Sequence, residues 1–484
     1  MLIDLDLLPA SSKSKSYDVC IAGAGPAGIT LARTLASYGK SVALLEGGSL
    51  TYTDESQQLY AGKNTGLNDW DAVKSCRLRY FGGTSNHWAG LCSFLDDNDF
   101  ETPAHGMSGW PISKADAYAH FDAAKNILDL PKDAFLNSKA WPGKNFKTFV
   151  KANSPPTRFN AKYIDELKKS SNIDLFIHAN LTHIELLDNN SIVKNIEFTN
   201  NKKSKHLFTA KQFVLAMGTI ENARMLLANN KQLKSGIGNQ NDMVGRCYME
   251  HFNISYGRFV AENTTLWKDG SILVNPAASL IKTAKISNAV LTFEPSASPV
   301  SYGRTRFLKD ALRKLVCKTE TITDLSRKIA DFDCEGDGTI SSMIEQSPNL
   351  NSRVTLDNLM DDFGVPKVVL NWQANQYDMH SIRTLGIEVA KEMAKLGIAR
   401  VQLADFILDD NKKIDDFGHH CHQMGTTRMS ADPKHGVVDT NQLVHGMQNL
   451  YIAGSSVFPI GGGCNPTFTL TMLTLRLGHY LAKL

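Results

Sequence analysis

The sequence has almost no excess of charge: 52 Lys and Arg face 49 Asp and Glu, a formal net charge of +3. That balance excludes an electrostatic grip on nucleic acid and points to a small-molecule partner. No window reaches the roughly 18 uninterrupted apolar residues of a spanning helix, so no membrane span is expected. The start, MLIDLDLLPASSKSKSYD, lacks a basic n-region and does not read as a secretory leader. There is no C-x-x-C pair. Cys20, Cys76, Cys92, Cys247, Cys317, Cys334, Cys421 and Cys464 are scattered, which leaves no zinc ribbon or iron-sulfur cluster of usual spacing and fits a reducing compartment, with cytoplasm as the expectation. Internal repeats and low-complexity segments are also missing.

What is present is a long chain with a substantial core. Its 484 residues are 42% hydrophobic, enough for two or three domains or one composite one. YDVCIAG (17–23) is a short apolar run ending in glycine, the pattern of a buried parallel strand. GAGPAG follows, placing Gly23, Gly25 and Gly28 in G-x-G-x-x-G around Pro26 and Ala27; a helical stretch then leads to a second strand ending at Glu46. Strand, glycine turn, helix, strand and acid in this order make a dinucleotide site: the turn lets backbone approach a pyrophosphate at the helix N-terminus, and the acid accepts from a ribose hydroxyl.

Residues 50–105 show little periodicity and contain a second glycine turn, RLRYFGGTSNHWAG. Residues 113–130 read as one helix, and 156–170 hold another. IDLFIHANLTHIELL and SIVKNIEFTN alternate like antiparallel strands around DNN, and QFVLAMGTIENARMLLANN returns to a buried strand, a glycine and a helix. The composition changes between about 250 and 410, where strand-like pieces surround a long helix. The last 70 or so residues go back to the first style. The fold class expected is α/β, an α+β composite: a Rossmann-like domain assembled from 16–250 and 411–484, with 106–155 contributing to a cap, and a substrate domain on a mostly antiparallel sheet inserted at 251–410.

Two stretches carry candidate chemistry. In FGHHCHQMGTTRMS (417–430), a metal site, a catalytic base with its neighbours and a polar strand end are all open readings. An extended chain would put His419 opposite His420 and leave His420 and His422 on one face; two ligands do not make a metal site, and none is assigned. His419 and His420 are expected in supporting or surface roles, and Arg428 as an anchor for the turn. Farther on, Asn465-Pro466 precedes a helix that is apolar almost all round. Asn at the cap and Pro at the first position form a helix start signal, so Asn465 reads equally well as a simple cap. The buried positive end of that helix suits the electron-rich side of a reduced flavin, and Gly461, Gly462 and Gly463 would let the loop pass close to the ring.

Together, the fingerprint with Glu46, GGTSNHWAG, GWPIS (109–113), FVLAMGTIENARMLL, DMVGRCYMEH (242–251), SRVTL, HQMGTTRM and GSSVFPIGGGCNPT resemble, in order, the blocks of the glucose-methanol-choline (GMC) oxidoreductases, and are most similar to the sugar dehydrogenase and pyranose oxidase branches. The resemblance implies FAD bound by Gly23, Gly25, Pro26, Ala27, Gly28, Glu46, Gly82, Gly83, Thr84, Asn86, His87, Trp88, Ala216, Gly454, Ser455, Pro466 and Thr467. It implies His422 as the base that takes a hydroxyl proton while hydride passes to flavin N5, and Asn465 as a donor to the substrate oxygen. In some pyranose oxidases the His matching His87 is joined covalently to the flavin, and in other sugar dehydrogenases it is not, so both forms are open. The cysteine cluster of iron-sulfur relatives is missing from KTFVKANSPPTRFN. The activity implied is oxidation of a sugar or glycoside hydroxyl; the alternatives are a non-sugar alcohol such as a sterol or natural-product intermediate, and a non-catalytic flavin sensor. Oxygen, a quinone or a redox partner could accept the electrons.

Overall fold

The computed structural model describes residues 1–9, 15–67, 73–136, 140–262, 270–296, 336–412, 414 and 417–484. Cys317 and Cys334, and the part of the expected inserted segment around them, lie outside the described residues. The first sheet has six parallel strands in the order Leu2–Asp4, Ile173–Ile177, Val42–Leu45, Tyr17–Ala22, Ala210–Leu215 and Leu450–Ile452. Tyr17–Ala22 lies inside this order because its apolar residues are covered on both sides. The order in which strands are added switches sides beside it, and in open parallel sheets such a point marks a ligand crevice at the carboxyl ends of the strands.

Gly23 ends this strand with φ +104°, and an added Cβ would stand 2.5 Å from the Ala216 carbonyl oxygen. Only glycine fits there, because both the backbone angle and the neighbouring strand exclude a side chain. The helix Pro26–Ser37 then packs down on the strand at Gly28, whose Cβ would meet the Gly23 carbonyl oxygen at 1.9 Å.

A second sheet is antiparallel in the order Ala399–Leu403, His251–Ala261, Asp337–Glu345, Ala289–Pro295, Ile272–Pro276 and Phe146–Thr148, with Gly418–His419 paired to the start of His251–Ala261. That last pairing brings the histidine-rich segment against the head of a long strand. The mixed architecture expected from the sequence is present: a parallel cofactor sheet and a mostly antiparallel second one. Among the described residues no helix is long and apolar enough to cross a membrane.

Three local expectations change. The stretch 113–130 is two helices, Lys114–Tyr118 and Phe121–Ile127, with a break at Ala119 and His120. IDLFI is not part of an antiparallel pair; all five residues are buried in the parallel sheet, and the hairpin begins only at Asn180–Leu186. SRVTL and KVVLN form a hairpin with Lys63–Asn64 as its third strand, apart from the large antiparallel sheet.

The helix Gln376–Lys395 holds the segment that leads into Phe146–Thr148 through the carboxylate of Glu392. Buried Glu392 accepts from Trp141 Nε1 (2.8 Å) and from the backbone N–H groups of Asn145 (2.7 Å), Phe146 (3.2 Å) and Lys144 (3.3 Å). Truncating it strands several buried donors, so Glu392→Ala should cost about 3 kcal/mol or more. A urea unfolding midpoint within error of the parent would contradict this role.

Candidate active site

A cavity of about 660 Å³ opens at the carboxyl ends of the parallel strands. The N-termini of two helices reach it. Gly25 caps Pro26–Ser37 and Asn465 caps Pro466–Leu481; neither side chain satisfies the helix N–H groups, both helices carry Pro in the first turn, and both caps line the cavity. Two free positive helix ends facing one cleft suit a ligand with two electron-rich parts, such as the pyrophosphate and the ring of a flavin dinucleotide.

Most residues read from the sequence as cofactor ligands lie on this wall. Gly23, Gly25, Pro26, Ala27, Glu46, Gly83, Thr84, His87, Trp88, Ala216, Gly454, Ser455, Pro466 and Thr467 line it, as do His422 and Asn465. Gly28, Gly82 and Asn86 do not: Gly28 seats the helix on the strand, the Gly82 N–H donates to the Ala24 carbonyl, and Asn86 Nδ2 donates to the Phe81 carbonyl. Glu46 has a second task. Its carboxylate accepts from the N–H groups of Ala24 (3.1 Å) and Gly48 (2.9 Å), which ties the glycine turn to the loop after the Val42–Leu45 strand. Burial, and next the nearby charge of Arg158, hold the His87 imidazole below its ordinary pKa.

At the far end of the cavity four groups form a row. His251 Nε2 stands 2.8 Å from the Gly462 carbonyl oxygen, His251 Nδ1 stands 2.9 Å from His422 Nδ1, and His422 Nε2 stands 3.3 Å from Asn465 Nδ2. A carbonyl only accepts, so His251 carries its proton on Nε2 and accepts at Nδ1; His422 then carries its proton on Nδ1, and its Nε2 is left with a lone pair. Burial holds both rings neutral, His251 down at about 3 and His422 well below the ordinary value, and each ring's charged form would repel the other.

Asn465 is oriented in the same way. Its backbone N–H donates to Ser93 Oγ (2.8 Å), and the Ser93 hydroxyl donates to Asn465 Oδ1 (3.3 Å), so the amide nitrogen faces His422. The side chain is therefore not the helix cap that the Asn-Pro signal allowed; only its backbone occupies the cap position.

The sequence reading assigned no role to Ser93, Glu250, His251 or Glu345. Glu250 is buried and accepts from the backbone N–H groups of His422 and His251, and burial lifts its carboxyl to about 8. Glu345, also pushed up to about 8 by burial, accepts from the Gly462 N–H at 2.8 Å and so places the carbonyl that orients His251. One signal existed, since His251 and Glu250 close the block DMVGRCYMEH.

The three glycines before Asn465 do not pass along the cavity wall. A Cβ on Gly461 would meet Met424 Cε at 2.8 Å, one on Gly462 would meet Leu95 and Asp99, and one on Gly463 would meet Asn288 and Ala289. They are small because these neighbours leave no room for a side chain.

Among the three histidines, His420 lines the cavity near His422, with ring centroids 5.7 Å apart, while His419 pairs with Phe252. Arg428 is away from the cavity and fully buried, donating to the carbonyls of Ser108, His435 and Pro459. It anchors the turn, as its position in the motif suggested. Cys76, His419 and Cys421 bring ligand atoms within 4.8 Å of one another, but the two sulfurs are joined in a disulfide and offer no thiolate to a metal. This pairing joins residues 345 positions apart, so cysteine spacing gave no hint of it.

Fold and cavity thus define an FAD-binding α/β protein with an antiparallel second sheet. A family model described as GMC oxidoreductase matches residues 348–474, and one described as FAD binding domain matches residues 16–58. The chain is 26% identical over 286 residues to the fructose dehydrogenase large subunit of Gluconobacter japonicus, covering 58% of this chain and 49% of that protein. To paromamine 6'-oxidase of Streptomyces fradiae it is 24% identical over 288 residues, covering 58% and 47%. These alignments span about half the length of either relative. A crystal structure of formate oxidase superposes with a TM-score of 0.57 at 16% identity, covering 97% of this chain and 99% of the other, which shows the shared fold.

The tight seat of Gly23 gives a direct check on the cofactor end. Gly23→Ala should distort the turn that faces the pyrophosphate and weaken FAD retention on the order of tenfold or more. Flavin absorbance per mole of purified protein, at parental levels in the variant, would refute this.

Proposed function

We propose that the protein is an FAD-dependent oxidoreductase that oxidises a hydroxyl of a sugar or glycoside to a carbonyl. The carrying observation is the row from the Gly462 carbonyl through His251 to His422, which leaves an unprotonated Nε2 at the cavity beside an oriented amide. FAD, held between the two helix ends, would supply the hydride acceptor. With substrate bound, the hydroxyl would take the place of the amide at His422 Nε2, which accepts its proton, while Asn465 Nδ2 donates to the substrate oxygen as negative charge grows there. Ser93 keeps that donor from turning away. His251 accepts the Nδ1 proton of His422 throughout, so the new imidazolium charge spreads into the Gly462 carbonyl dipole.

A sugar or glycoside as donor is supported by the names of the matched relatives, a fructose dehydrogenase and a paromamine oxidase. His87 is proposed to pack beside the flavin ring, with a covalent link as a further form. Cytoplasm remains the proposed compartment.

In an anaerobic titration of the FAD-loaded protein with a panel of sugars, glycosides and simple alcohols, a sugar or glycoside should bleach the oxidised flavin band. His422→Ala should slow that bleaching by about 100-fold to 10,000-fold while FAD stays bound. If no sugar bleaches the band and a simple alcohol does, the substrate class is wrong; if His422→Ala bleaches at the parental rate, the base is wrong.

The pH profile gives an independent reading. A base whose pKa is lowered is active above that lowered value and is lost only as pH falls through it, so the acidic limb of kcat/KM should lie below the ordinary histidine value near 6.5. His251→Ala, which removes the neighbouring ring and admits water, should move that limb upward toward 6.5. A limb unmoved by the substitution would separate His251 from the base.

A further inference from the structure

Cys76 and Cys421 are joined in a disulfide, and both line the same cavity as His422. Cys421 immediately precedes the proposed base. It is exposed, whereas Cys76 is only 2% exposed. The two ends of the bond differ in rigidity. Cys76 adjoins Arg77, which is buried, donates to Glu221 Oε1 at 2.8 Å and to the Val73 carbonyl at 2.7 Å, and has its own carbonyl held by Gln57 Nε2 at 2.7 Å. Cys421 has φ +59°, a left-handed conformation that non-glycine residues seldom hold, at the position that turns the chain from the strand pair at Gly418–His419 into the base. A fixed anchor is thus bonded to a bent residue whose next neighbour needs its ring placed within hydrogen-bond reach of two partners.

We propose that Cys76–Cys421 is a thiol–disulfide exchange site that takes a dithiol as its reductant and sets the position of His422. The chemistry balances within the pair and its reductant. A thiolate of the dithiol attacks Cys421 Sγ, the bond to Cys76 Sγ breaks, and its electron pair leaves on Cys76, which takes a proton. The second thiol then attacks the reductant's own sulfur in the mixed disulfide, releasing Cys421 as a thiol. Two electrons and two protons pass from the dithiol to the protein. His419 Nδ1, 3.7 Å from Cys421 Sγ, stands where it can hydrogen-bond the released thiol. With the tether open, Cys421 is free to leave its left-handed angle, and the backbone of His422 loses its covalent anchor while the Glu250 carboxyl still accepts from its N–H.

Disulfides in reducing compartments are usually transient and exchanging ones, and an exposed sulfur is open to attack. The proposal rests on the reading of His422 as the base, so its test carries two readouts that need no substrate.

FAD-loaded protein is purified without reductant and divided into untreated, dithiothreitol-treated, and dithiothreitol-then-diamide-treated portions. In each, alkylation and peptide mass report the state of Cys76 and Cys421, the absorption band reports the flavin surroundings, and a bleaching alcohol, where one is known, reports rate. The result expected is a linked pair in the untreated protein that opens while the protein is folded. The flavin band should shift, the bleaching rate should fall by about tenfold or more, and diamide should restore both. Cys76→Ser should match the reduced state and ignore both reagents. The proposal is overturned if the two cysteines are free thiols in the untreated protein, if the bond resists dithiothreitol until the protein unfolds, or if it opens with neither band nor rate changing. Failure to find any bleaching alcohol would count against the functional reading alone, since mass and band still report on the tether.

Discussion

The site depends on a conflict between two imidazoles in contact, His251 fully buried and His422 half-buried at the cavity. Neither His251 nor His422 can hold a proton charge cheaply beside the other in a dry place, and their facing Nδ1 atoms need one donor and one acceptor. The Gly462 carbonyl decides the direction. Because it accepts from His251 Nε2, every proton in the row has one position, and the lone pair emerges at the cavity. Glu345 holds the Gly462 N–H, Glu250 holds the backbone of both histidines, and Ser93 turns the Asn465 amide. On the proposed reading, this arrangement of acceptors keeps the Nε2 of His422 free of a proton.

Such a row has to be assembled from distant parts of the chain, and the two-sheet fold brings them together. His251 begins a strand of the antiparallel sheet, and Glu345 ends the neighbouring one. Asn465 begins a helix packed on the first dinucleotide helix, where Gly478 lies against Thr34. The glycine loop 461–463 is thin because Met424, Leu95, Asp99 and the ends of two antiparallel strands at His251 and Ala289 press on it. On the proposed reading it serves the base through the Gly462 carbonyl, and the cofactor through the helix end that it leads into.

What could be read from the sequence was what is local along the chain. The strand, glycine turn, helix and acid around Gly23, Gly25, Gly28 and Glu46 lie within a few dozen residues, and backbone sterics determine each of them. His422 and Asn465 came into view only through the resemblance, because nothing in a lone His-x-x-Gly-Thr separates a base from a strand end. Ser93, Glu345 and the Cys76–Cys421 bond were out of reach. Each acts through a partner over a hundred residues away, and a serine or glutamate in an irregular stretch carries no mark of what it will touch. The Asn-Pro signal located the helix start but could not tell a capping side chain from a capping backbone. IDLFI read as half of a hairpin because a five-residue apolar run has no periodicity to show whether one face or both are covered.

On the proposed reading, a base held well below its ordinary pKa is a poor acceptor for a hydroxyl proton, and this tension sets the order of events. Transfer to His422 before the C–H bond weakens would place an alkoxide and an imidazolium side by side in a cavity that penalises charge. Transfer as the C–H bond weakens avoids that, because electron density leaves the alcohol carbon while the proton leaves its oxygen. Asn465 then steadies only a partial charge, for which one amide N–H is adequate. The same dryness that depresses the base thus favours loss of proton and hydride together, and the row through His251 keeps Nε2 ready for the moment when the hydroxyl becomes acidic.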